Sequence, residues 1–131
     1  MDAHRRIKQR VRAEHQAIAD RLRVEPEAVL DYARGNVARW SKDYDSARRP
    51  DWLVEWQRLL TGPVEALVVA LTADTETAVR LRASSPFLGL LTFRERLEIL
   101  RRVDPELAKA METFETNRGQ HAHDLAELAR R

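Results

Sequence analysis

HQAIADRLRVEPEAVLDYARG, residues 15–35, is the stretch that decides the fold of this 131-residue chain. Ile18 and Leu22 lie four residues apart, which places both side chains on one face of a helix. Pro26 favours the start of a second helix, because the N–H that proline lacks is not needed at the first helical position. Val29 then begins a second apolar face with the same spacing. The stretch therefore predicts two consecutive amphipathic helices.

The same stretch resembles a helix-turn-helix unit, in which the second helix is left exposed for the major groove of DNA. Small Ala19 lies where the two helices would cross, and Leu22 and Val24 flank the turn. Arg23 stands where such units usually have glycine, and a left-handed conformation there costs about 1 kcal/mol. Three carboxylates that would face phosphates follow the turn: Glu25, Glu27 and Asp31. A plain helical hairpin with the same crossing is the alternative.

Helices are also predicted outward from this stretch in both directions. Glu14 and His15 interrupt the apolar face of the first helix and predict a break near Ala13. Asp51 predicts an N-cap. Residues 63–71 are apolar nearly all round and predict a central buried helix, with a buried strand as the alternative. Residues 117–119 (Asn-Arg-Gly) predict a helix stop.

An all-α fold follows from these elements, namely a compact bundle of seven to eight short helices with the helix-turn-helix-like unit at its amino-terminal end. The length predicts a single domain over residues 1–131. Residues 1–40 would form the helix-turn-helix-like part, and residues 51–131 the helical C-terminal part. The polar segment 41–50 (SKDYDSARRP) lacks apolar periodicity and is the candidate boundary. The last twelve residues would add one amphipathic helix or fray.

Composition excludes several classes of protein. The chain has no Cys, which excludes disulfides, thiolate zinc sites and cysteine nucleophiles. Its longest apolar run, 66–71, is far below the roughly 20 residues that span a bilayer. Arg5 and Arg6 are not followed by an apolar region of a secretory signal, so we expect a cytoplasmic protein.

Motifs for catalysis and for metal or cofactor binding are absent from the sequence. It has no G-x-S-x-G, P-loop, H-E-x-x-H or dinucleotide-binding pattern. His121 and His123 are two residues apart, so on a helix their imidazoles would point about 200° apart and would not share an ion. We therefore expect binding rather than catalysis, with no cofactor and no metal.

Positive charge is concentrated at the amino-terminal end. The chain carries a net charge of +2, and residues 1–24 contain seven basic against three acidic residues. A basic end on a mildly acidic body is a typical footprint for nucleic acid, whereas an Arg-rich solvated helix face is the alternative. The candidate nucleic-acid-binding residues are Arg5, Arg6, Lys8, Arg10, Arg12, Arg34 and Arg39.

Three apolar side chains are candidates for contact with a partner protein. Trp52 lies in the first turn after the polar segment, and Phe87 and Leu88 lie in an apolar connection, SSPFLGLL. Trp is enriched at interface hot spots but is also a common core residue. Trp56 lies one turn after Trp52 and is predicted to be a core residue, whereas Trp52 could be either.

A second resemblance covers about two thirds of the chain. DYARGNVARW (31–40), WQRLLTGPVEALVVALT (56–72) and RLRASSPFLGLLTFRERLEILR (80–101) look like a group of largely uncharacterised bacterial proteins, many of them actinobacterial. Members of this group are often described as helix-turn-helix regulators or are found beside toxin–antitoxin-type genes. The resemblance implies a regulator or antitoxin and supplies no catalytic residue.

The predicted function is therefore that of a small helical regulatory protein, DNA-associated and antitoxin-like. Its predicted partners are double-stranded DNA and either a cognate, toxin-like protein or a second copy of the chain. The alternative is a helical protein-interaction subunit with no role in nucleic-acid binding.

Overall fold

The computed structural model describes residues 2–130, and within that range it contains helices and no strands. The helices are α1 (Ala3–Val24), α2 (Pro26–Ser41), α3 (Asp51–Thr61), α4 (Val64–Thr72), α5 (Glu76–Arg82), α6 (Phe93–Val103) and α7 (Pro105–Ala129), with a 3₁₀ turn at Ser46–Arg48. The predicted all-α fold is confirmed. The expectation that every helix is short is wrong, because α1 has 22 residues and α7 has 25.

The helices group into two compact units. The first contains residues 2–92 with α1 to α5, and the second contains residues 93–130 with α6 and α7. The division follows Thr92, whereas the sequence suggested the polar segment 41–50, which belongs to the first unit. The prediction of a single domain stays a prediction.

The core of the first unit lies where α1 packs against α2, α4 and α5 and where α3 packs against α2 and α4. Trp56 of α3 is fully buried, as predicted, and meets the ring of Phe87 edge-to-face at a centroid distance of 5.9 Å. The other fully buried large apolar side chains of this unit include Ile18, Leu22, Val29, Leu53, Leu67 and Leu71.

The connection between α1 and α2 consists of Glu25 alone. Arg23 lies within α1, and no residue other than glycine has a positive φ in the part of the chain that the structure describes. Arg23 therefore does not adopt the left-handed conformation that a helix-turn-helix would need at this position. A helix-turn-helix has a turn of three to four residues, so α1 and α2 form a helical pair with a much shorter link. Pro26 opens α2 at once, which leaves no room for a longer turn.

The break expected near Ala13 is absent, because α1 accommodates both polar residues that follow it. Glu14 and His15 are buried, and His15 Nδ1 donates a hydrogen bond to the Val11 carbonyl oxygen at 2.7 Å. The polarity of Glu14 and His15 suggested that they are exposed to solvent, but both are buried within the first unit.

α4 is helical, as predicted, and it buries one side rather than its whole circumference. Leu67, Val68 and Leu71 are buried, whereas Val64 and Val69 are exposed. Asp51 is the first residue of α3 and not its N-cap, since Pro50 holds that position.

The second unit is a pair of helices. Leu97 and Leu100 of α6 pack with Ala108 of α7 in a small buried cluster. Asp104 caps α7 by accepting a hydrogen bond from the Leu107 N–H at 3.3 Å. The helix stop expected at 117–119 is wrong, because α7 continues through it to Ala129. A glycine inside a helix costs about 1 kcal/mol, which does not by itself end the helix.

Candidate functional site

The basic run of the sequence forms the first half of α1. Arg5, Arg6 and Lys8 are exposed, and Arg10 is half-buried. Asp2 caps the helix, since its carboxylate accepts a hydrogen bond from the Arg5 N–H at 2.8 Å. No acidic residue occurs between this cap and Glu14. The first half of α1 therefore carries several basic side chains and no acidic one.

The helical period divides these cations between two sides of α1. Arg5, Lys8 and Arg12 follow at intervals of three and four residues and share one side, which is turned toward the end of α4 and toward α5. Arg6 and Arg10 are one turn apart and lie roughly 100–140° around the helix from Arg5.

Arg12 joins α1 to the carboxyl end of α4. Its Nε donates a hydrogen bond to the Thr72 carbonyl oxygen at 3.1 Å, and its Nη1 lies 3.9 Å from a carboxylate oxygen of Asp74. The last carbonyl groups of a helix have no partner within the helix. The guanidinium therefore satisfies a backbone acceptor, and Arg12 stabilises the fold as well as contributing charge.

The two predicted basic residues of α2 are also held by neighbours. Arg34 Nη2 donates to the Leu60 carbonyl oxygen at 3.4 Å, and Arg34 Nη1 lies 3.6 Å from Asp31. Arg39 Nη2 donates to the side-chain oxygen of Asn36. Arg34 therefore links α2 to α3, whereas the Arg39 side chain is held by a residue of its own helix.

The predicted basic residues of α1 and α2 contact different parts of the first unit. Leu60, which Arg34 contacts, precedes α4, whereas Thr72, which Arg12 contacts, is its last residue. Arg34 therefore contacts the last turn of α3 and Arg12 contacts the last residue of α4, and the basic residues of α1 follow one another along a single helix.

The start of α2 is acidic and exposed. Glu25, Glu27 and Asp31 all face solvent, and Asp31 pairs with Arg34. Carboxylates at a helix N-terminus stabilise the helix through its dipole but repel phosphate. The start of α2 is therefore a poor surface for entering a DNA groove.

Phe87 was predicted to contact a partner, and this prediction is wrong. Its side chain has no exposed surface, because it packs edge-to-face against Trp56 inside the first unit. Leu88 is 45% exposed, as a partner contact requires. Trp52 is half-buried and packs edge-on against Trp40 at a ring-centroid distance of 5.9 Å.

The apolar connection around Phe87 is tied to α2 by two hydrogen bonds. Asn36 Nδ2 donates to the Pro86 carbonyl oxygen at 2.7 Å, and the Tyr32 hydroxyl donates to the Leu88 carbonyl oxygen at 3.0 Å. Gly89 has a φ of +95°, and a Cβ built there would lie 2.5 Å from the Tyr32 hydroxyl. The connection is a fixed part of the fold rather than a free loop.

The side chains of His15 and Arg82 are buried at the α1–α5 contact, and neither was identified as a buried residue from the sequence. Burial, together with the charge of Arg82, lowers the pKa of His15 to about 4 despite its hydrogen bond to Val11. Its Nε2 has no hydrogen-bond partner in the part of the chain that the structure describes. A single histidine or arginine on an amphipathic helix gives no sign in the sequence that it is buried, so burial becomes visible only once the helices pack.

Arg82 is 1% exposed and donates a hydrogen bond to the Ala70 carbonyl oxygen at 3.1 Å. Burial is the main cause that lowers the pKa of Arg82, the charge of Arg12 lowers it further, and Asp74 opposes both. Arg82 makes no ion pair within residues 2–130. The first unit thus contains a buried guanidinium that lacks a direct counter-charge.

Two adjoining cavities open beside Arg82. A groove of about 310 Å³ between α1 and α5 has an apolar lining that includes Ile7, Val11 and Val79. A recess of about 230 Å³ shares Lys8, Val79 and Arg82 with the groove and is lined mainly by charged residues. The side of α1 that carries Lys8 therefore forms one wall of both cavities.

No family model, curated protein or solved structure matches this chain. The resemblance to bacterial regulators and antitoxins accordingly stays a prediction. Among residues 2–130, no cluster of three or more His, Asp or Glu side chains could hold a metal ion. None of the described helices combines the length and the apolar character needed to cross a membrane.

Proposed function

We propose that this chain acts by binding rather than catalysis, as a small cytoplasmic regulatory protein that associates with duplex DNA through the first half of α1. One observation carries the proposal: Arg5, Arg6 and Lys8 are exposed, with Arg10 half-buried beside them, in a stretch without carboxylates. Arginine and lysine in such a run attract the phosphate backbone regardless of base sequence.

α2 does not act as a recognition helix in this proposal. Its exposed start is acidic, and Arg34 and Arg39 are engaged with Leu60 and Asn36. Without a helix in the major groove, base edges are not read directly. The proposed contact is therefore made mainly with phosphates and discriminates weakly between sequences.

The antitoxin-like part of the proposal is supported by the resemblance of residues 31–40, 56–72 and 80–101 to bacterial regulatory proteins. An antitoxin-like role needs a second surface for a toxin-like protein. Trp52 and Leu88 keep the exposure that such a contact requires, whereas Phe87 does not.

A salt titration with a fluorescently labelled duplex tests the DNA contact. Neutralising about four phosphates gives a slope near −4 when the logarithm of the binding constant is plotted against that of salt concentration. We expect this slope, and affinities that differ little between unrelated duplexes. Absence of binding at about 50 mM salt to any duplex, including the promoter of its own gene, would overturn the proposal.

The second candidate function, a protein-interaction subunit without a nucleic-acid role, is favoured by the exposed apolar side chains of α7. Phe114, Leu125 and Leu128 are exposed, and their spacings of eleven and three residues place them on one face of the helix. A second copy of the chain is the partner that can be tested with purified protein. Sedimentation equilibrium should then show a dimer that Leu125→Glu abolishes, whereas a monomer at every concentration contradicts self-association.

A further inference from the structure

We propose that the groove between α1 and α5 binds an amphipathic small-molecule anion, with its carboxylate or phosphate head in the recess beside Arg12 and Arg82. The apolar tail of this ligand would lie against Ile7 and Val79. This proposal concerns a different ligand from duplex DNA and does not depend on the DNA contact of α1.

The groove supplies an apolar surface for the tail. Ile7 and Val11 lie one turn apart on α1 and face Val79 and Ala83 on the side of α5. Ile7 is 48% exposed, so much of this apolar wall is open to solvent. A volume of about 310 Å³ lies at the lower end of the range for small-molecule sites. Covering the wall with a hydrocarbon tail would remove that apolar surface from water.

The recess supplies positive charge for the head. Its lining contains four basic residues and one carboxylate: Arg5, Lys8, Arg12, Arg82 and Asp74. Asp74 is 3.9 Å from Arg12 and neutralises only one of the four. Glu76, on the rim of the groove, is paired with Arg80 at 2.9 Å. The net charge around the recess therefore favours an anion.

Arg82 distinguishes this site from an ordinary surface depression. Its side chain borders both cavities, is 1% exposed and makes one hydrogen bond, to Ala70. A guanidinium has five N–H donors in a planar fork that matches a carboxylate or phosphate. Burial of such a charge without a counter-ion is costly. An anionic head would provide the missing counter-charge.

The neighbouring buried side chain cannot supply that counter-charge. The pKa of His15 is lowered to about 4, so its imidazole is neutral at neutral pH. Arg12 is a second cation, and Asp74 is largely exposed. The groups that face Arg82 therefore leave its positive charge without a direct counter-ion.

Isothermal titration calorimetry with four probes tests the proposal: decanoate, decyl phosphate, decanol and inorganic phosphate, each below its aggregation concentration. We expect one-to-one binding of decanoate or decyl phosphate, and at least tenfold weaker binding of decanol and inorganic phosphate. The tighter of the two amphiphiles identifies the head group. Equal binding of decanol would overturn the requirement for an anion, and failure of both amphiphiles to bind at millimolar concentration would overturn the site.

Three variants locate the binding. Lys8→Gln removes an exposed cation shared by both cavities, and Val79→Trp fills the groove, so each should weaken amphiphile binding at least fivefold. Arg10→Gln is the matched control, because it removes the same charge from a different side of α1 and should leave binding unchanged. Equal affinities in all three variants would show that the amphiphile binds elsewhere and would overturn the proposal.

Arg82→Met tests the buried cation directly and should abolish the preference for decanoate over decanol. Its folding is checked by circular dichroism. If this variant does not fold, Lys8→Gln and Val79→Trp still decide the question, because neither residue has a buried polar role.

Discussion

The Nε of Arg12 donates a hydrogen bond to the carbonyl oxygen of Thr72, 60 residues later in the chain, at 3.1 Å. The contact joins the middle of α1 to the carboxyl end of α4, where a positive charge also interacts favourably with the helix dipole. A residue of the basic amino-terminal run therefore contributes to the fold. The charge that we propose for phosphate contact with DNA comes from the residues that precede it.

Replacing Arg12 with Gln should lower the free energy of unfolding by about 1 kcal/mol, the usual net value of one hydrogen bond. Urea denaturation followed by circular dichroism measures the change. Arg10→Gln is the control, because Arg10 makes no comparable bond to another helix among the described residues. Equal stability of the two variants would show that the Thr72 contact adds nothing to the fold.

Phe87→Ala should lower the free energy of unfolding by about 3–5 kcal/mol, because it empties a fully buried site beside Trp56. Leu88→Ala, one residue later and 45% exposed, should cost less than about 1 kcal/mol. Urea denaturation followed by tryptophan fluorescence distinguishes the two. Similar small losses would mean that Phe87 is not part of the core and would restore it as a partner contact.

Two glycines should respond in opposite directions to alanine. Gly89 has a φ of +95°, and a Cβ there would lie 2.5 Å from the Tyr32 hydroxyl, so Gly89→Ala should destabilise the fold by about 2 kcal/mol. Gly35 lies inside α2 with nothing within 4 Å of a Cβ, so Gly35→Ala should stabilise it by about 0.5–1 kcal/mol. Thermal denaturation checks both signs, and destabilisation by Gly35→Ala would indicate a close contact at α2.

His15 should make the fold sensitive to mild acid. Its pKa is lowered from 6.5 to about 4, so above pH 6.5 the imidazole is neutral in both folded and unfolded states. Between pH 6.5 and about 4 the unfolded chain binds a proton that the folded chain does not. Stability therefore falls as pH falls through this window, by an amount on the order of 3 kcal/mol in total.

Comparison with His15→Asn isolates this effect from the titration of carboxylates. The asparagine amide can replace the Nδ1 hydrogen bond to Val11 without titrating. The free energy of unfolding of the wild type should decrease more steeply from pH 6.5 to 4.5 than that of the variant. Parallel pH profiles would show that folding does not lower the pKa of His15.

Local chemistry made much of the secondary structure predictable. Pro26 opens α2 because its fixed φ and missing N–H suit the first helical position. Trp56 was predicted to be a core residue, and it is fully buried. The same local rules failed at residues 117–119, because one glycine is a weak obstacle within a long helix.

Long-range contacts were beyond the sequence. Phe87 and Leu88 are adjacent apolar residues, yet Phe87 packs against Trp56 and is buried, whereas Leu88 is exposed. Arg82 resembles the exposed Arg80 two residues earlier, yet it is buried in the first unit, where α1 packs against α5. Such contacts depend on which helices meet, and periodicity within one helix does not specify that.

Binding of a labelled duplex by two double variants tests the central claim most directly. Anisotropy titrations would compare Arg6→Gln/Arg10→Gln with Arg34→Gln/Arg39→Gln, after urea denaturation has shown that both are folded. If the first half of α1 holds the phosphates, the first variant loses at least tenfold in affinity and its salt slope falls from about −4 to about −2. The second variant then binds within about twofold of the wild type. Loss of binding in the α2 variant, with the α1 variant unaffected, would contradict the account.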